Sequence, residues 1–190
     1  MAAEQLKPRL VIFDLDGTLG DLPVDWSALK RDVELHFKAR SGSAASFSFW
    51  EGIRMLKDRL DPVALKEAYG IIQRYEQGGA ANFIPNEPAI EYLRSVATRG
   101  GKTAICSNNM TSTINAVLER LKIRSQVSFI VGMDSVSKAK PNPEGLLQIL
   151  QRADVTNADA IFIGDTNTDR QAARAASIPL IAVDELPTLL

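Results

Sequence analysis

The sequence predicts an α/β protein with a parallel β-sheet and a small helical insertion after the first strand. Five short apolar runs have the length of buried strands, and amphipathic helical patterns separate most of them. This alternation is typical of right-handed crossovers between parallel strands. Residues 22–83 break the alternation, because they contain no convincing strand. We therefore expect a core domain formed by residues 1–21 and 84–190 and a helical cap formed by residues 22–83.

The elements of the predicted core follow from the spacing of apolar residues. The strands are expected at residues 10–13, 103–106, 127–131, 160–163 and 180–183. Three helical stripes lie between them, and their apolar members are Ile90, Leu93 and Ala97; Ile114, Val117, Leu118 and Leu121; and Leu146, Leu147 and Leu150. Gly100 and Gly101 are expected to stop the first of these helices, and Pro143 suits the first turn of the third.

The predicted cap consists of helices alone. Apolar residues share one face in two of them, and these residues are Trp26, Leu29, Val33 and Phe37 in one helix and Leu65, Ala68, Ile72 and Tyr75 in another. Residues 49–60 are expected to form a helix between these two. Pro62 is suited to begin the last cap helix, and Gly78 with Gly79 is expected to end it. The joints to the core are expected at residues 19–23 and 83–85.

The composition is that of an ordinary globular protein, with 45% hydrophobic and 24% charged residues in a chain of 190. A formal net charge of −1 provides no overall field to attract nucleic acid or an anionic membrane. No apolar stretch approaches a membrane span, and the first one is too short for a signal peptide. Cys106 is the only cysteine, which excludes an internal disulfide and fits a reducing compartment. We expect a cytoplasmic monomer or homodimer without nucleic-acid or membrane partners.

The most informative segment follows the first predicted strand. Asp14 and Asp16 stand two residues apart, followed by Gly17, which allows a turn, and by Thr18, which supplies a hydroxyl. In open α/β sheets, ligands bind beyond the carboxyl ends of the strands. Carboxylates there suit Mg²⁺, and a carboxylate can also attack phosphorus to form an aspartyl-phosphate. The same residue types favour simple turns, so this segment does not decide the function alone.

Further polar groups follow three later strands. They are Ser107 and Asn108 after the second strand, Lys138 and Lys140 before Pro141 after the third, and Asp165 and Asp169 after the fourth. Each pair has a functional interpretation, as a phosphate-binding turn, a fixed positive charge and a cation ligand set respectively. Each pair also has a purely structural interpretation, as a helix cap, a solvated lysine pair and acids that complement a helix dipole respectively.

The shared position of these groups favours a functional site. All four motifs fall at the same edge of the predicted sheet. Like charges about 4 Å apart repel by roughly 4 kcal/mol at an effective dielectric of 20, so carboxylates collected there need compensation. A divalent cation and a lysine supply it, and a phosphate then completes the charge balance.

These four motifs, in this order, resemble those of the haloacid dehalogenase-like (HAD) hydrolase superfamily, whose core is a Rossmann-like parallel sheet. The helical insertion after the first motif is similar to that of the phosphoglycolate phosphatase and β-phosphoglucomutase branch. The resemblance covers nearly the whole chain. It implies a Mg²⁺-dependent phosphatase that hydrolyses a small phosphomonoester, phosphoglycolate or a sugar phosphate, through an aspartyl-phosphate.

The resemblance also implies a role for each matching residue. Asp14 would be the nucleophile, and Asp16 would be the general acid that protonates the leaving alcohol and the base that activates water. Ser107 and the backbone amide of Asn108 would hold the transferring phosphoryl group. Lys140, rather than Lys138, would steady the nucleophile and the phosphate, because Pro141 follows it.

The implied metal site uses residues from both ends of the chain. Mg²⁺ would be held by the Asp14 carboxylate, the Asp16 backbone carbonyl and Asp165. Asp169 would be either a water-mediated ligand or a partner of Lys140. The cap is shorter than in many relatives of this branch, so the resemblance implies less about specificity than about chemistry.

Alternatives remain open at this point. A phosphomutase of the β-phosphoglucomutase type uses the same residues, so the motifs do not separate it from a phosphatase. A catalytically idle module that binds a phosphorylated ligand would be expected to lose one catalytic position, and here all are present. A dehalogenase is disfavoured, because a halide leaving group needs neither an acid at Asp16 nor a Mg²⁺ site.

Three further polar or reactive residues are given no functional role. We interpret Cys106 as a buried thiol, His36 as a surface residue and Arg54 as a solvated cation.

Overall fold

The computed structural model describes residues 8–41, 49–58 and 61–188. Its strands are β1 (Leu10–Phe13), β2 (Gly20–Asp21), β3 (Ile84–Pro85), β4 (Lys102–Cys106), β5 (Phe129–Val131), β6 (Ala160–Gly164) and β7 (Leu180–Ala182). Five of them form one parallel sheet in the order β5-β4-β1-β6-β7, which confirms the predicted α/β class. Because β1 pairs with β4 on one side and β6 on the other, the strand order reverses there. A crevice outside the carboxyl ends of these three strands is where such sheets bind ligands.

Helices cover both faces of the sheet. The covering helices are α4 (Glu87–Thr98), α5 (Thr111–Arg120), α6 (Glu144–Ala153) and α7 (Asn167–Ala176). Three other helices precede them in the chain, and these are α1 (Trp26–Ser41), α2 (Phe49–Asp58) and α3 (Pro62–Ala81). Successive side chains of a strand point to opposite faces. Val11 and Phe13 accordingly pack with α4 and α5 in one core, while Leu10 and Ile12 pack with α6 and α7 in a second core.

The helical insertion, α1 to α3, lies between β2 and β3, which pair with each other in antiparallel fashion. Its apolar side chains form a third cluster, whose fully buried members include Leu29, Val33, Ala64, Ala68 and Ile72. Met110 and Met133, from loops that follow β4 and β5, pack into the same cluster. The insertion therefore faces the carboxyl edge of the sheet. Residues 59 and 60 of the predicted second helix lie outside the described residues.

The end of α3 differs from the prediction. The helix continues through Gly78 and Gly79 to Ala81, with Asn82 as its C-cap. Gly79 is present for close packing, because a Cβ atom there would lie 2.7 Å from Val24 Cγ2 and 3.2 Å from the Pro23 carbonyl oxygen. The prediction that this pair of glycines ends the helix was wrong, since a helix interior accepts glycine where a neighbouring segment approaches closely.

Smaller differences have equally local causes. The strand predicted at residues 127–131 begins at Phe129, because the Val127 amide still donates to the Arg124 carbonyl in a 3₁₀ turn. The last strand ends at Ala182, where another 3₁₀ segment begins. Leu147, predicted on the apolar stripe of α6, is 47% exposed, and the buried face consists of Leu146, Ile149 and Leu150.

His36, interpreted as a surface residue, is partly buried, and its Nε2 lies 3.2 Å from the Ala64 carbonyl oxygen. Cys106 is buried, as predicted. Among the helices that the structure describes, none combines the length and the hydropathy that a membrane span requires.

Candidate active site

Asp14 lies directly beyond β1 and is only 6% exposed. Its amide donates to the Ile163 carbonyl, which extends the sheet pairing by one residue and fixes the backbone. The Oδ1 atom accepts a hydrogen bond from the Leu15 amide at 2.7 Å and lies 3.0 Å from Lys140 Nζ. A carboxylate held in this way has little rotational freedom, so its orientation toward the carboxyl edge of the sheet is set before any ligand binds.

The turn after Asp14 brings β1 against the loop after β6. Gly17 has φ +82°, and a Cβ atom there would lie 2.7 Å from Asp165 Cγ, so this position requires glycine. Thr18 Oγ1 donates to Asp165 Oδ1 at 3.2 Å. The Asp16 carboxylate instead accepts the Leu22 amide at 2.7 Å, at the start of the insertion. Asp16 is thus half-buried at the joint between the sheet and the helices.

Lys140 lies at the centre of the charged groups. Its Nζ atom is 3.0 Å from Asp14 Oδ1 and 2.5 Å from Asp169 Oδ1, and its side chain is 4% exposed. Burial alone would lower the pKa of Lys140, but the two carboxylates raise it above its ordinary value, so the amine stays charged. The Asn108 side chain holds the Lys140 backbone from both sides, donating to its carbonyl at 2.9 Å and accepting from its amide at 3.0 Å.

Asp169 is fully buried in the first turn of α7. Its Oδ1 contacts Lys140, and its Oδ2 accepts from the Thr166 amide at 3.1 Å and from the Thr166 hydroxyl at 2.6 Å, completing a capping box. Gly164 permits this approach, because a Cβ atom there would lie 2.8 Å from Asp169 Cβ. In the structure Asp169 therefore contacts Lys140 directly.

Ser107 lies at the end of β4, 5% exposed, and belongs to a hydrogen-bonded loop that the sequence did not reveal. Its hydroxyl donates to Asn109 Oδ1 at 2.8 Å. Asn109 Nδ2 in turn donates to Glu76 Oε1 at 3.1 Å, and the Met110 amide donates to Glu76 Oε2 at 2.9 Å. Burial raises the pKa of Glu76, against the lowering effect of these hydrogen bonds. The only sequence signal was that Glu76 follows Ile72 by four residues on the buried face of α3.

Burial raises the pKa values of Asp14, Asp16 and Asp165 above their ordinary range. Burial raises the pKa of Asp14 to about 6; Lys140 opposes this effect and Asp169 adds to it. Burial also raises the pKa of Asp16, and the neighbouring Asp165 and Asp21 contribute in the same direction. Burial thus favours the protonated form of Asp16 relative to a solvated aspartate.

Three carboxylates are placed to hold a divalent cation. Asp14, Asp165 and Asp169 each offer an oxygen within 4.8 Å of the others. The oxygens of Asp169 already bind Lys140 and Thr166, so Asp14 and Asp165 are the better donors. The carboxylate of Asp16 is not part of this group. A hard cation that takes few protein carboxylates, as Mg²⁺ does, fits this set.

A cavity of about 240 Å³ connects the charged groups to the insertion. Asp14, Asp16, Ser107 and Lys140 line it from the sheet side, and the side chains that line it from the insertion are Trp26, Leu29, Lys30, Phe49, Ile72 and Glu76. A larger cavity of about 550 Å³ lies on the other side of the loop at residues 137–143 and includes Arg54 and Lys138. Lys138 is exposed and its backbone amide donates to the Glu144 carboxylate, so unlike Lys140 it is not part of the buried charged group.

Known proteins share this sequence pattern. The phosphoglycolate phosphatase of Pseudomonas putida is 27% identical over 190 residues, covering 93% of this chain and 69% of the relative. The phosphoglycolate phosphatase of Rhodospirillum rubrum is 28% identical over 194 residues, covering 93% and 79%. Residues 11–183 match the family model of haloacid dehalogenase-like hydrolases.

Solved structures share the fold. A HAD-superfamily hydrolase of subfamily IA from Geobacter sulfurreducens superposes with a TM-score of 0.62 at 24% identity, covering 95% of this chain and 98% of that one. CbbY from Rhodobacter sphaeroides, solved in complex with phosphate, gives a TM-score of 0.65 at 18% identity, covering 92% and 85%. At these identities the likeness concerns the fold.

The α/β sheet with carboxylates collected at its carboxyl edge defines a class of hydrolases, and this chain belongs to the haloacid dehalogenase-like hydrolase family. Within that family it is similar along most of its length to phosphoglycolate phosphatases.

Proposed function

We propose that this protein is a Mg²⁺-dependent phosphatase that hydrolyses a small phosphomonoester through an aspartyl-phosphate on Asp14. The observation that supports this most is the buried row Asp14–Lys140–Asp169 beside Ser107, at the floor of a cavity of about 240 Å³. A fixed carboxylate next to a permanently charged amine is a combination that phosphoryl transfer requires, because catalysis of that reaction depends on positioning and charge stabilisation.

In the first step an Asp14 oxygen attacks phosphorus, and the bond from phosphorus to the leaving oxygen breaks. Asp16, at the joint between the sheet and the insertion, gives its proton to the leaving alcohol. In the second step Asp16 takes a proton from water, which attacks phosphorus and releases phosphate from Asp14. The raised pKa of Asp16 supports this double role, since burial favours the protonated form that the first step requires.

The phosphoryl group would be held by Ser107, by the Asn108 backbone amide and by Lys140. Asp14 and Asp165, together with the Asp16 backbone carbonyl, would hold Mg²⁺, which would supply positive charge against the oxygens of the transferring group. Asp169 would keep Lys140 in place rather than bind the cation, because both of its oxygens are engaged.

We further propose that residues 22–83 act as a cap over the core formed by residues 1–21 and 84–190. Helices α1 and α3 form one wall of the cavity, so a ligand there is enclosed between the insertion and the sheet. Enclosure excludes water during the first step, and a movement of the cap would release the product. The modest cavity and the similarity to phosphoglycolate phosphatases favour phosphoglycolate or a sugar phosphate of similar size as substrate.

The test is phosphate release from a panel of small phosphomonoesters, with Mg²⁺ and with excess chelator, for the wild type and for Asp14→Asn. We expect Mg²⁺-dependent release that Asp14→Asn abolishes. Asp154→Asn is the matched control, because Asp154 is exposed at the end of α6 in a left-handed conformation that Asn also accepts. Isomerised sugar phosphate without free phosphate would favour a mutase, and turnover that survives Asp14→Asn would contradict the assignment.

A further inference from the structure

Glu76 is a buried acid for which the proposed reaction has no use. It lies on α3, within the insertion, and is 1% exposed. Both of its oxygens accept hydrogen bonds from the loop after β4, one from Asn109 Nδ2 at 3.1 Å and one from the Met110 amide at 2.9 Å. Burying a carboxylate is costly unless it is well bonded, so this contact has a structural cost that a merely apolar helix face would avoid.

The contact dictates how the Asn109 side chain is turned. An ionised carboxylate only accepts hydrogen bonds, so Asn109 has to present its Nδ2 to Glu76. Its Oδ1 then faces Ser107, whose hydroxyl donates to it at 2.8 Å. Asn109 borders the cavity but is only 4% exposed, so its amide has little room to turn. The orientation of Ser107 is thereby fixed from the insertion, through two side chains.

We propose that Glu76 is a positioning residue that sets the Ser107 hydroxyl through Asn109 and so couples the insertion to the phosphate-binding loop. This inference rests on the proposed function, in which Ser107 holds the transferring phosphoryl group. With Glu76 in place, the Ser107 oxygen sits at one position and its hydrogen has only to turn from Asn109 to a phosphoryl oxygen when substrate binds.

The substitution Glu76→Gln tests the hydrogen bonding of the Glu76 side chain while leaving its size nearly unchanged. Glutamine has nearly the same shape but offers a donor as well as an acceptor, so Asn109 can present either end of its amide and Ser107 loses its single orientation. A lost hydrogen bond to a buried charged group corresponds to about a tenfold to hundredfold loss, which we expect in kcat/KM. Thermal unfolding of the same variant reports whether it folds.

A double-mutant cycle with Ser107→Ala tests the coupling. If Glu76 acts through Ser107, Glu76→Gln costs less than about threefold once Ser107 is already Ala, because the two changes share one pathway. A purely structural role predicts multiplicative losses in the cycle instead. Asn109→Ala is the second variant: it removes the connecting amide while Glu76 keeps its bond to the Met110 amide, and it should show the same lack of additivity with Ser107→Ala.

Asp32→Asn is the matched control. Asp32 is also an acid that bonds to α3, accepting from the Tyr75 hydroxyl at 2.6 Å, and neither this bond nor its ion pair with Arg31 involves the loop of Ser107. Its effect on kcat/KM should stay within about twofold and should multiply with that of Ser107→Ala.

The affinity for inorganic phosphate, measured by calorimetry with Mg²⁺, separates this inference from the proposed function. If the wild type binds phosphate but releases none from any ester, the proposed function fails, and the same cycle measured on phosphate affinity still decides the role of Glu76. The inference would be overturned if, in either measurement, the losses of the two single variants multiply in the double variant. It would also be overturned if the Glu76→Gln variant equals the wild type. A wild type that neither binds phosphate nor turns over would overturn both.

Discussion

At the scale of single residues, Lys140 supplies the positive charge that compensates two buried carboxylates. Its amine is enclosed between Asp14 and Asp169, and the three charges sum to one negative charge in the buried row. Removing one member of a buried ion pair leaves an uncompensated charge, which is far more costly than losing a pair on the surface. The lysine therefore contributes to stability as well as to the proposed chemistry.

Lys140→Met should lose at least about a hundredfold in kcat and destabilise the protein by about 3–5 kcal/mol, because it leaves two buried carboxylates facing each other. Urea unfolding and phosphate release, measured on one preparation, check both effects. Lys138→Met is the control two residues away, exposed and apart from the carboxylates, and its stability should stay within about 0.5 kcal/mol of the wild type. Equal effects of the two substitutions would contradict the role given to Lys140.

At the scale of elements, α3 connects the insertion to the core. Its buried face begins with Ala64, Ala68 and Ile72 in the apolar cluster of the insertion. It continues with Glu76 against the loop after β4 and with Gly79 against the segment that links β2 to α1. One rigid helix therefore contacts both the substrate cavity and the link between β2 and α1. A displacement of α1 and α2 alone would leave the contacts of Glu76 intact.

Gly78 and Gly79 offer a paired test of this packing. Gly78→Ala should stabilise the protein by about 0.5–1 kcal/mol, because an added Cβ meets nothing within 4 Å and glycine is a poor residue in a helix interior. Gly79→Ala should destabilise it by about 1–3 kcal/mol, because its Cβ would collide with Val24. Thermal unfolding distinguishes the two signs, and stabilisation by both would show that α3 does not pack against the link to α1.

The sequence predicted the features that follow from the periodicity of apolar residues, and it did not predict those that depend on tertiary contacts. Strand and helix periodicity predicted the parallel sheet, and polar residues that follow apolar runs predicted that Asp14, Ser107, Lys140 and Asp165 share one edge. Glu76 escaped notice because a glutamate in a helix is usually solvated. Gly79 was taken for a helix stop, since its closeness to Val24 is visible only once the fold brings the two together.

At the scale of the whole molecule, the candidate cation site joins residues from opposite ends of the chain, Asp14 near the start and Asp165 near the end. A ligand that binds only the folded state stabilises it in proportion to the logarithm of its concentration relative to the dissociation constant. Binding of a cation at this site would therefore stabilise the whole core against unfolding, and not one loop alone.

Millimolar Mg²⁺ should raise the unfolding midpoint of the wild type, with a further rise for each increase in concentration, because the cation would bridge β1 and β6. Asp165→Asn should lose most of this dependence, although relief of repulsion between carboxylates is expected to keep its midpoint without metal at or above that of the wild type. Asp154→Asn serves as the control and should respond like the wild type. An equal response of all three proteins would contradict a site at Asp165.

The central claim is that Asp14 carries the phosphoryl group, and chemical trapping tests it most directly. The enzyme is mixed with substrate and Mg²⁺, quenched in acid within the first turnover and reduced with borohydride, which converts an acyl phosphate to an alcohol. Peptide mass spectrometry then locates the reduced side chain. We predict reduction at residue 14 alone, and none in Asp14→Asn. Reduction at another carboxylate, or turnover without any reduced residue, would contradict the covalent mechanism.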